Sequence, residues 1–237
     1  MSLRICSVIL VLAFSFIQLY SPVDSSAADI KKAISLNKSG EDLLGQGRIS
    51  EAEQTFRLML ENCGDNGFCQ AIGTFYLGRC SLESSRFDQA QGLLEDAEKR
   101  FEALKRNNEK AMVLISRGKL EVGKGDYRKA LEHFKNAEAL LQAEKNLSEL
   151  FQVYNSRAVA LTYLCQYDKA MECLDQAEEL TRSAPNPSSM AVIKTNRGLI
   201  HAKRQQQKEA LECFEMARNH YEEVRNSAAL VTLLNNI

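Results

Sequence analysis

Residues 125–137 read GDYRKALEHFKNA, and variants of this stretch recur along the whole chain. It places a small residue at Ala130, a large apolar one at Phe134 and a second small one at Ala137. The first alanine returns at spacings of 38, 40, 40 and 40 residues, as Ala52, Ala90, Ala130, Ala170 and Ala210. A self-similar period in this range indicates a helical solenoid, in which each unit buries its apolar face against its neighbours.

One unit, residues 111–144, shows how such a repeat folds. Its first half has apolar residues at helical spacing, and the Gly125–Asp126 pair then provides a turn. Its second half forms another apolar stripe that contains Ala130 and Phe134. Gly118 in the first half is small where Phe134 is large, which predicts two antiparallel helices packed closely without a void.

This pattern resembles the tetratricopeptide repeat. When the repeats are counted from residues 33, 71, 111, 151 and 191, position 8 is small in each, namely Gly40, Gly78, Gly118, Ala158 and Gly198. The resemblance implies an all-α, right-handed superhelical solenoid of antiparallel helix pairs. The period exceeds the common 34 residues, so longer helices or connections are expected. The predicted repeats are approximately 33–66, 71–110, 111–150, 151–190 and 191–225, with the first helix of a sixth at 226–237.

The first 28 residues have the composition of a secretory signal peptide. Arg4 precedes a run of 13 almost wholly apolar residues, 5–17, and Ser26-Ala27-Ala28 provides small residues before a cleavage site. The run is shorter than the ~20 apolar residues that a membrane-spanning helix needs. The expected mature chain, residues 29–237, is therefore exported to the periplasm or secreted, with no stable membrane span.

Export makes disulfides feasible, and six of the 7 cysteines lie in the expected mature chain. Cys63 and Cys69 flank a Gly-rich loop between two predicted helices, so they are the candidate disulfide. Cys69 and Cys80 would be about 16 Å apart on one helix, which is too far for a bridge. The remaining four cysteines are interpreted as packed or half-buried thiols. A bridge between Cys173 and Cys213, at the same position of successive repeats, is a marginal alternative.

The resemblance also implies a peptide groove on the first helices, at repeat positions 2, 5, 9, 12 and 13. Arg79 and Lys119, near Phe75, are suited to an acidic or aromatic peptide segment. An ordinary solvated helix face is the alternative. The family's Lys/Asn carboxylate-clamp pattern is not reproduced. The candidate groove residues are Phe75, Arg79, Ile115, Lys119, Asn155, Val159, Tyr163, Thr195 and Lys203.

A second periodic set, Arg117, Arg157 and Arg197, occupies position 7. It allows a cationic ladder, or three arginines whose stems pack on the preceding repeat while their heads bind carbonyls or carboxylates; the second interpretation is favoured. The sequence contains no catalytic, metal or cofactor motif of a known type. With 30 basic and 31 acidic residues it has no basic character typical of nucleic-acid binding.

These patterns predict a non-catalytic scaffold or adaptor in the cell envelope, which binds a peptide or protein partner on its concave face without a cofactor. An alternative is the N-terminal sensory or regulatory array of a larger enzyme, for example one with a caspase-like domain. The apolar residues of 226–237 additionally allow homo-oligomerisation through the C-terminal helix.

Overall fold

The computed structural model describes residues 27–182, 187–223 and 230. The described residues form ten α-helices, joined by short connections. The helices are α1 (Ala27–Gly45), α2 (Ile49–Glu61), α3 (Gly67–Glu83), α4 (Phe87–Ala103), α5 (Asn107–Lys124), α6 (Tyr127–Glu144), α7 (Leu147–Tyr163), α8 (Tyr167–Arg182), α9 (Pro187–Lys203) and α10 (Gln207–Glu223).

These helices form five successive pairs, and the chain is an all-α solenoid as predicted. Each odd-numbered helix packs against the even-numbered helix that follows it. The odd-numbered helices also contact one another from repeat to repeat. They therefore form the inner layer of the array, and the even-numbered helices form the outer layer.

Each inner helix begins earlier than the predicted start of its repeat. The four later ones, α3, α5, α7 and α9, begin four residues earlier, at 67, 107, 147 and 187. Four residues make about one helical turn. The long period of this chain therefore extends the inner helices at their N-terminal ends, and it leaves the connections short.

The packing of each pair depends on one close contact between the two layers. A Cβ placed on Gly40 would lie 2.6 Å from the ring of Phe56, and one on Gly198 would lie 2.5 Å from the ring of Phe214. The ring of Phe134 comes within 3.0 Å of the same point on Gly118. The repeat that has Ala158 instead of glycine has the smaller Leu174 at the facing position.

Periodic ion pairs join three of the repeats to the preceding one. Arg117 binds Glu98, Arg157 binds Glu138 at 2.5 Å and Arg197 binds Glu178 at 2.7 Å. Each arginine lies on an inner helix and each glutamate on the outer helix before it. The three arginines therefore bind carboxylates of the preceding repeat, as favoured from the sequence, and they do not form a free cationic ladder. At the equivalent positions of the first junction, Leu60 and Leu77 join one apolar cluster instead.

The turn within each pair uses left-handed backbone at one fixed position. Gly125 has φ +82°, whereas Cys165 and Gln205 adopt φ +57° and +62° without being glycine. Left-handed backbone costs roughly 1–2 kcal/mol per residue when a Cβ is present. The helix geometry on either side therefore imposes the turn in the repeats that lack glycine there.

Cys63 and Cys69 form a disulfide, with their Cα atoms 5.5 Å apart. The loop they close runs from the end of α2 to the first turn of α3. Within it, the side chain of Asn66 accepts a hydrogen bond from the backbone N–H of Cys69 at 2.9 Å. The disulfide and this helix cap together fix the point where α3 begins.

The two terminal segments predicted from the sequence lie largely outside the described residues. Of the predicted signal peptide, only Ala27 and Ala28 are described, and they begin α1. Of the predicted sixth-repeat helix, 226–237, only Leu230 is described, and it packs against the last apolar cluster beside Phe214. Within the described part of the chain, no helix is long and apolar enough to cross a membrane.

We expect Gly118→Ala to destabilise the array, because the new methyl group meets the Phe134 ring. The expected loss is about 1–3 kcal/mol in the free energy of unfolding, measured by urea denaturation. Adding Phe134→Leu should recover part of that loss, because it recreates the Ala158–Leu174 pair found in the fourth repeat.

The matched control is Gly92→Ala on α4, where an added Cβ meets nothing within 4 Å. Alanine there should stabilise the helix by about 0.5–1 kcal/mol. Strict additivity of Gly118→Ala and Phe134→Leu would contradict the proposed coupling between the two positions.

Candidate peptide-binding surface on the inner helices

Four of the residues predicted to line a groove lie around one cavity of the inner surface. Phe75 and Arg79 come from α3, and Ile115 and Lys119 come from α5. The cavity has a volume of about 190 Å³. Its remaining walls are Leu82, Glu83, Met112, Ser116, Glu149 and Gln152.

Helical periodicity explains why these side chains meet. Phe75 and Arg79 are four residues apart, so they lie one above the other on the same face of α3. Ile115 and Lys119 repeat that arrangement one repeat later on α5. Phe75 and Ile115 are almost fully buried, with 2% and 4% of their surfaces exposed. They form an apolar floor beneath two cationic side chains.

Arg79 and Lys119 have no acidic partner. The Arg79 guanidinium lies over the rings of Phe75 and Tyr76, at 5.8 and 5.4 Å from their centroids. Among the described residues, neither Arg79 nor Lys119 makes an ion pair within 4.0 Å. The arginines at the repeat junctions, in contrast, all bind carboxylates. The cavity therefore holds two cations outside ion-pair distance of its own two carboxylates, Glu83 and Glu149.

Enclosure changes the pKa values of two facing groups in this cavity. Desolvation between the inner helices lowers the pKa of Lys119 from its ordinary 10.5, and the nearby charge of Arg79 lowers it further. Desolvation raises the pKa of Glu149, while Lys119 and Arg79 oppose that change. Lys119 keeps solvent-accessible surface although protein surrounds it, because the surface is concave. An anion bound here would restore the stabilisation that the ammonium has lost.

Sequence reasoning missed several walls of this cavity. Leu82, Glu83, Met112 and Gln152 occupy repeat positions 12, 13, 2 and 2 in the frame defined above, so the same counting would have found them. Glu149 precedes the predicted start of its repeat. It reaches the cavity because α7 begins at Leu147, in the extra turn that the common 34-residue frame does not contain.

The other predicted groove residues do not line this cavity. Asn155 and Val159 on α7 and Thr195 on α9 are half-buried, and Asn155 accepts a hydrogen bond from Asn196 at 2.5 Å. Tyr163 stacks on Tyr127, with their ring centroids 4.9 Å apart. Tyr163 and Lys203 lie at the C-terminal ends of their inner helices, with both side chains exposed.

A second cleft lies between α1 and α3. Its volume is about 360 Å³, and its lining is mostly apolar, formed by Ile30, Ile34, Asn37, Met59, Asn66, Phe68, Cys69 and Ile72. Ile34 is 65% exposed and Phe68 is 38% exposed, and the two line the same cleft. The Oδ1 atom of Asn37 is buried in the wall without a hydrogen-bond donor among the described residues. Sequence reasoning did not find this cleft.

Cys80 on α3 is a buried free thiol, and the described residues contain no metal-binding cluster. No group of three or more His, Cys, Asp or Glu side chains among them is placed to hold a metal ion. Burial raises the pKa of the Cys80 thiol to about 11, so this cysteine is protonated at neutral pH.

A sequence model of the tetratricopeptide repeat matches residues 149–237. The five helix pairs extend the same architecture over the described part of the chain. The described part of the chain therefore has the fold of a tetratricopeptide repeat solenoid. No curated protein matches the sequence.

Solved structures of this type are similar in fold. PlcR of Bacillus thuringiensis, crystallised with the peptide PapR7 and DNA, is 15% identical to this chain. Its TM-score is 0.73, and the match covers 92% of this chain and 79% of PlcR. Aspartyl phosphate phosphatase F of Bacillus subtilis is 16% identical with a TM-score of 0.69. The match covers 87% of this chain, which spans only 60% of the phosphatase.

A thermophilic tetratricopeptide repeat protein of Thermus thermophilus is 21% identical, with a TM-score of 0.60 over 84% of this chain and 99% of its own. At these identities, the likeness establishes the solenoid fold.

We expect two substitutions in the cavity to shift the pKa of Lys119 in opposite directions. Arg79→Gln removes a neighbouring positive charge and should raise the pKa of Lys119, whereas Glu149→Gln removes a negative charge and should lower it. The measurement is an NMR titration of the lysine side chains. Glu132→Gln on the outer helix α6 is the control and should leave Lys119 unchanged. Shifts of the same sign for Arg79→Gln and Glu149→Gln would show that Lys119 does not lie between these charges.

Proposed function

We propose that this solenoid is a non-catalytic interaction scaffold of the cell envelope, which binds an extended peptide or protein segment on its inner surface. The observation that carries the proposal is the enclosed cavity in which Arg79 and Lys119 lie above Phe75 and Ile115 without ion-pair partners. Cations beside an apolar floor, without ion-pair partners among the described residues, are suited to charge-assisted hydrogen bonds with a ligand.

A structural neighbour supports this assignment. PlcR has the same fold and was crystallised with a peptide, PapR7. The inner surface of the present chain combines an apolar floor, aromatic rings and free cations. These are the features that hold the side chains of an extended segment by burial, stacking and charge-assisted hydrogen bonds.

Export is part of the proposal and has two supports. The first is the signal-peptide composition of residues 1–28. The second is the disulfide between Cys63 and Cys69, because such bonds persist in oxidising compartments and are rare in the cytosol.

Binding on the inner surface can be tested by photo-crosslinking in the native cell. A benzophenone amino acid at Gln152, in the wall of the cavity, should give a discrete adduct with a partner. The same amino acid at Lys99, exposed on the outer helix α4, should not. Equal adducts from both positions, or adducts from Lys99 alone, would refute the assignment of the inner surface.

Export can be tested separately by N-terminal sequencing of the chain recovered from the envelope or the medium. We expect the mature chain to begin at Asp29, and we expect peptide mapping without reduction to recover Cys63 and Cys69 linked. A chain recovered from the cytosol with residues 1–28 intact and both thiols free would contradict the export proposal.

A further inference from the structure

We propose that the inner surface selects peptides that carry a bulky apolar side chain and an acidic side chain four positions apart. This inference rests on the proposed function and names the chemistry of its ligand. The apolar side chain occupies the cleft between α1 and α3, and the acidic side chain binds between Arg79 and Lys119.

The cleft provides the apolar half of the specificity. Ile34 and Phe68 are large, apolar and exposed, and Ile72 completes the same wall. A volume of about 360 Å³ is at the lower end of the range for small-ligand pockets, so it holds one large side chain with its flanking backbone. The buried Oδ1 of Asn37 in this wall has no donor among the described residues, and a ligand N–H that reaches it would remove that cost.

The cavity provides the acidic half. Arg79 and Lys119 approach it from two helices, and each has donors that no described carboxylate occupies. Glu83 and Glu149 line the same cavity. They make no ion pair within 4.0 Å, and they disfavour a second ligand carboxylate near them. The cavity is therefore suited to one acidic side chain of the ligand, and it disfavours a run of acidic residues.

The arrangement of the inner helices sets the spacing. Along α3, Ile72 and Arg79 are seven residues apart, which is about 10 Å at ~1.5 Å per residue. The cleft between α1 and α3 and the cavity between α3 and α5 are also displaced across the helices by one interhelical distance, about 8–10 Å. Because these two displacements are perpendicular, the apolar cleft and the cationic cavity are about 14 Å apart. An extended peptide covers ~13 Å in four residues at ~3.3 Å each, and its side chains at i and i+4 face the same side.

The test uses fluorescein-labelled peptides of alanine and glycine that contain one leucine and one aspartate. The aspartate follows or precedes the leucine by two, four or six positions, so all the peptides present both side chains on one face. Fluorescence anisotropy with the chain 29–237 should show the tightest binding at a separation of four. Asparagine in place of aspartate should weaken it roughly tenfold or more, through loss of a charge-assisted contact.

Matched variants of the protein assign each half of the ligand. Arg79→Gln and Lys119→Gln should weaken the aspartate peptide roughly tenfold and leave the asparagine peptide unchanged. Ile34→Ala should weaken peptides with leucine and leave a peptide with alanine at that position unchanged. Leu211→Ala, at an exposed leucine on the outer helix α10, should change neither. Circular dichroism of each variant verifies that it folds.

Several outcomes would overturn the inference. Equal affinity at all three separations, or no binding of any peptide at 1 mM, excludes the proposed ligand. Self-association that Ile34→Ala abolishes would show that a second copy of the chain covers the apolar cleft. If the Gln152 crosslink is nevertheless specific in any of these cases, the proposed function stands and only the ligand chemistry is wrong.

Discussion

The close approach of a small residue on each inner helix to a large residue on the outer helix is the contact on which the rest of the solenoid depends. Glycine opposes phenylalanine at Gly118–Phe134, and alanine opposes leucine at Ala158–Leu174. The second repeat pairs Gly78 with Leu94, so in every repeat a small inner residue lets the large outer side chain approach its helix closely. Because repeats stack on their neighbours, a change in one distance would be transmitted to the next junction.

The junctions between repeats solve a different problem, because they must fix how one pair is rotated relative to the next. Three of them use an arginine from the inner helix and a glutamate from the preceding outer helix, each partly shielded from solvent. Paired charges with fixed geometry specify register better than apolar contacts, which tolerate sliding. The first junction has leucines at these positions. There the disulfide between Cys63 and Cys69 fixes the start of the next inner helix.

The sequence was sufficient to predict the fold, because the residues that set the packing recur at a fixed period. Gly118, Ala130 and Phe134 would be uninformative singly, and five aligned sets of them specify both helices of every pair. The same frame brought Phe75, Arg79, Ile115 and Lys119 to one face, and the structure places them around one cavity. It could not predict Glu149, because the common repeat frame omits the turn that carries it. Nor could it predict the cleft beside Ile34, which depends on how far α1 and α3 diverge.

The distribution of ion pairs separates the structural from the functional part of the inner helices. Arginines that face the preceding repeat are neutralised by glutamates, because their positions are used to hold the array together. Arg79 on α3 and Lys119 on α5 also lie on inner helices, two positions beyond repeat position 7, but they face the concave side. There, desolvation lowers the pKa of Lys119, and no carboxylate in the described part of the chain comes within ion-pair distance of Arg79 or Lys119. Pairing them within the chain would stabilise the fold but would leave no charge for a ligand. The inner surface therefore gives up some stability at the positions where binding specificity is generated.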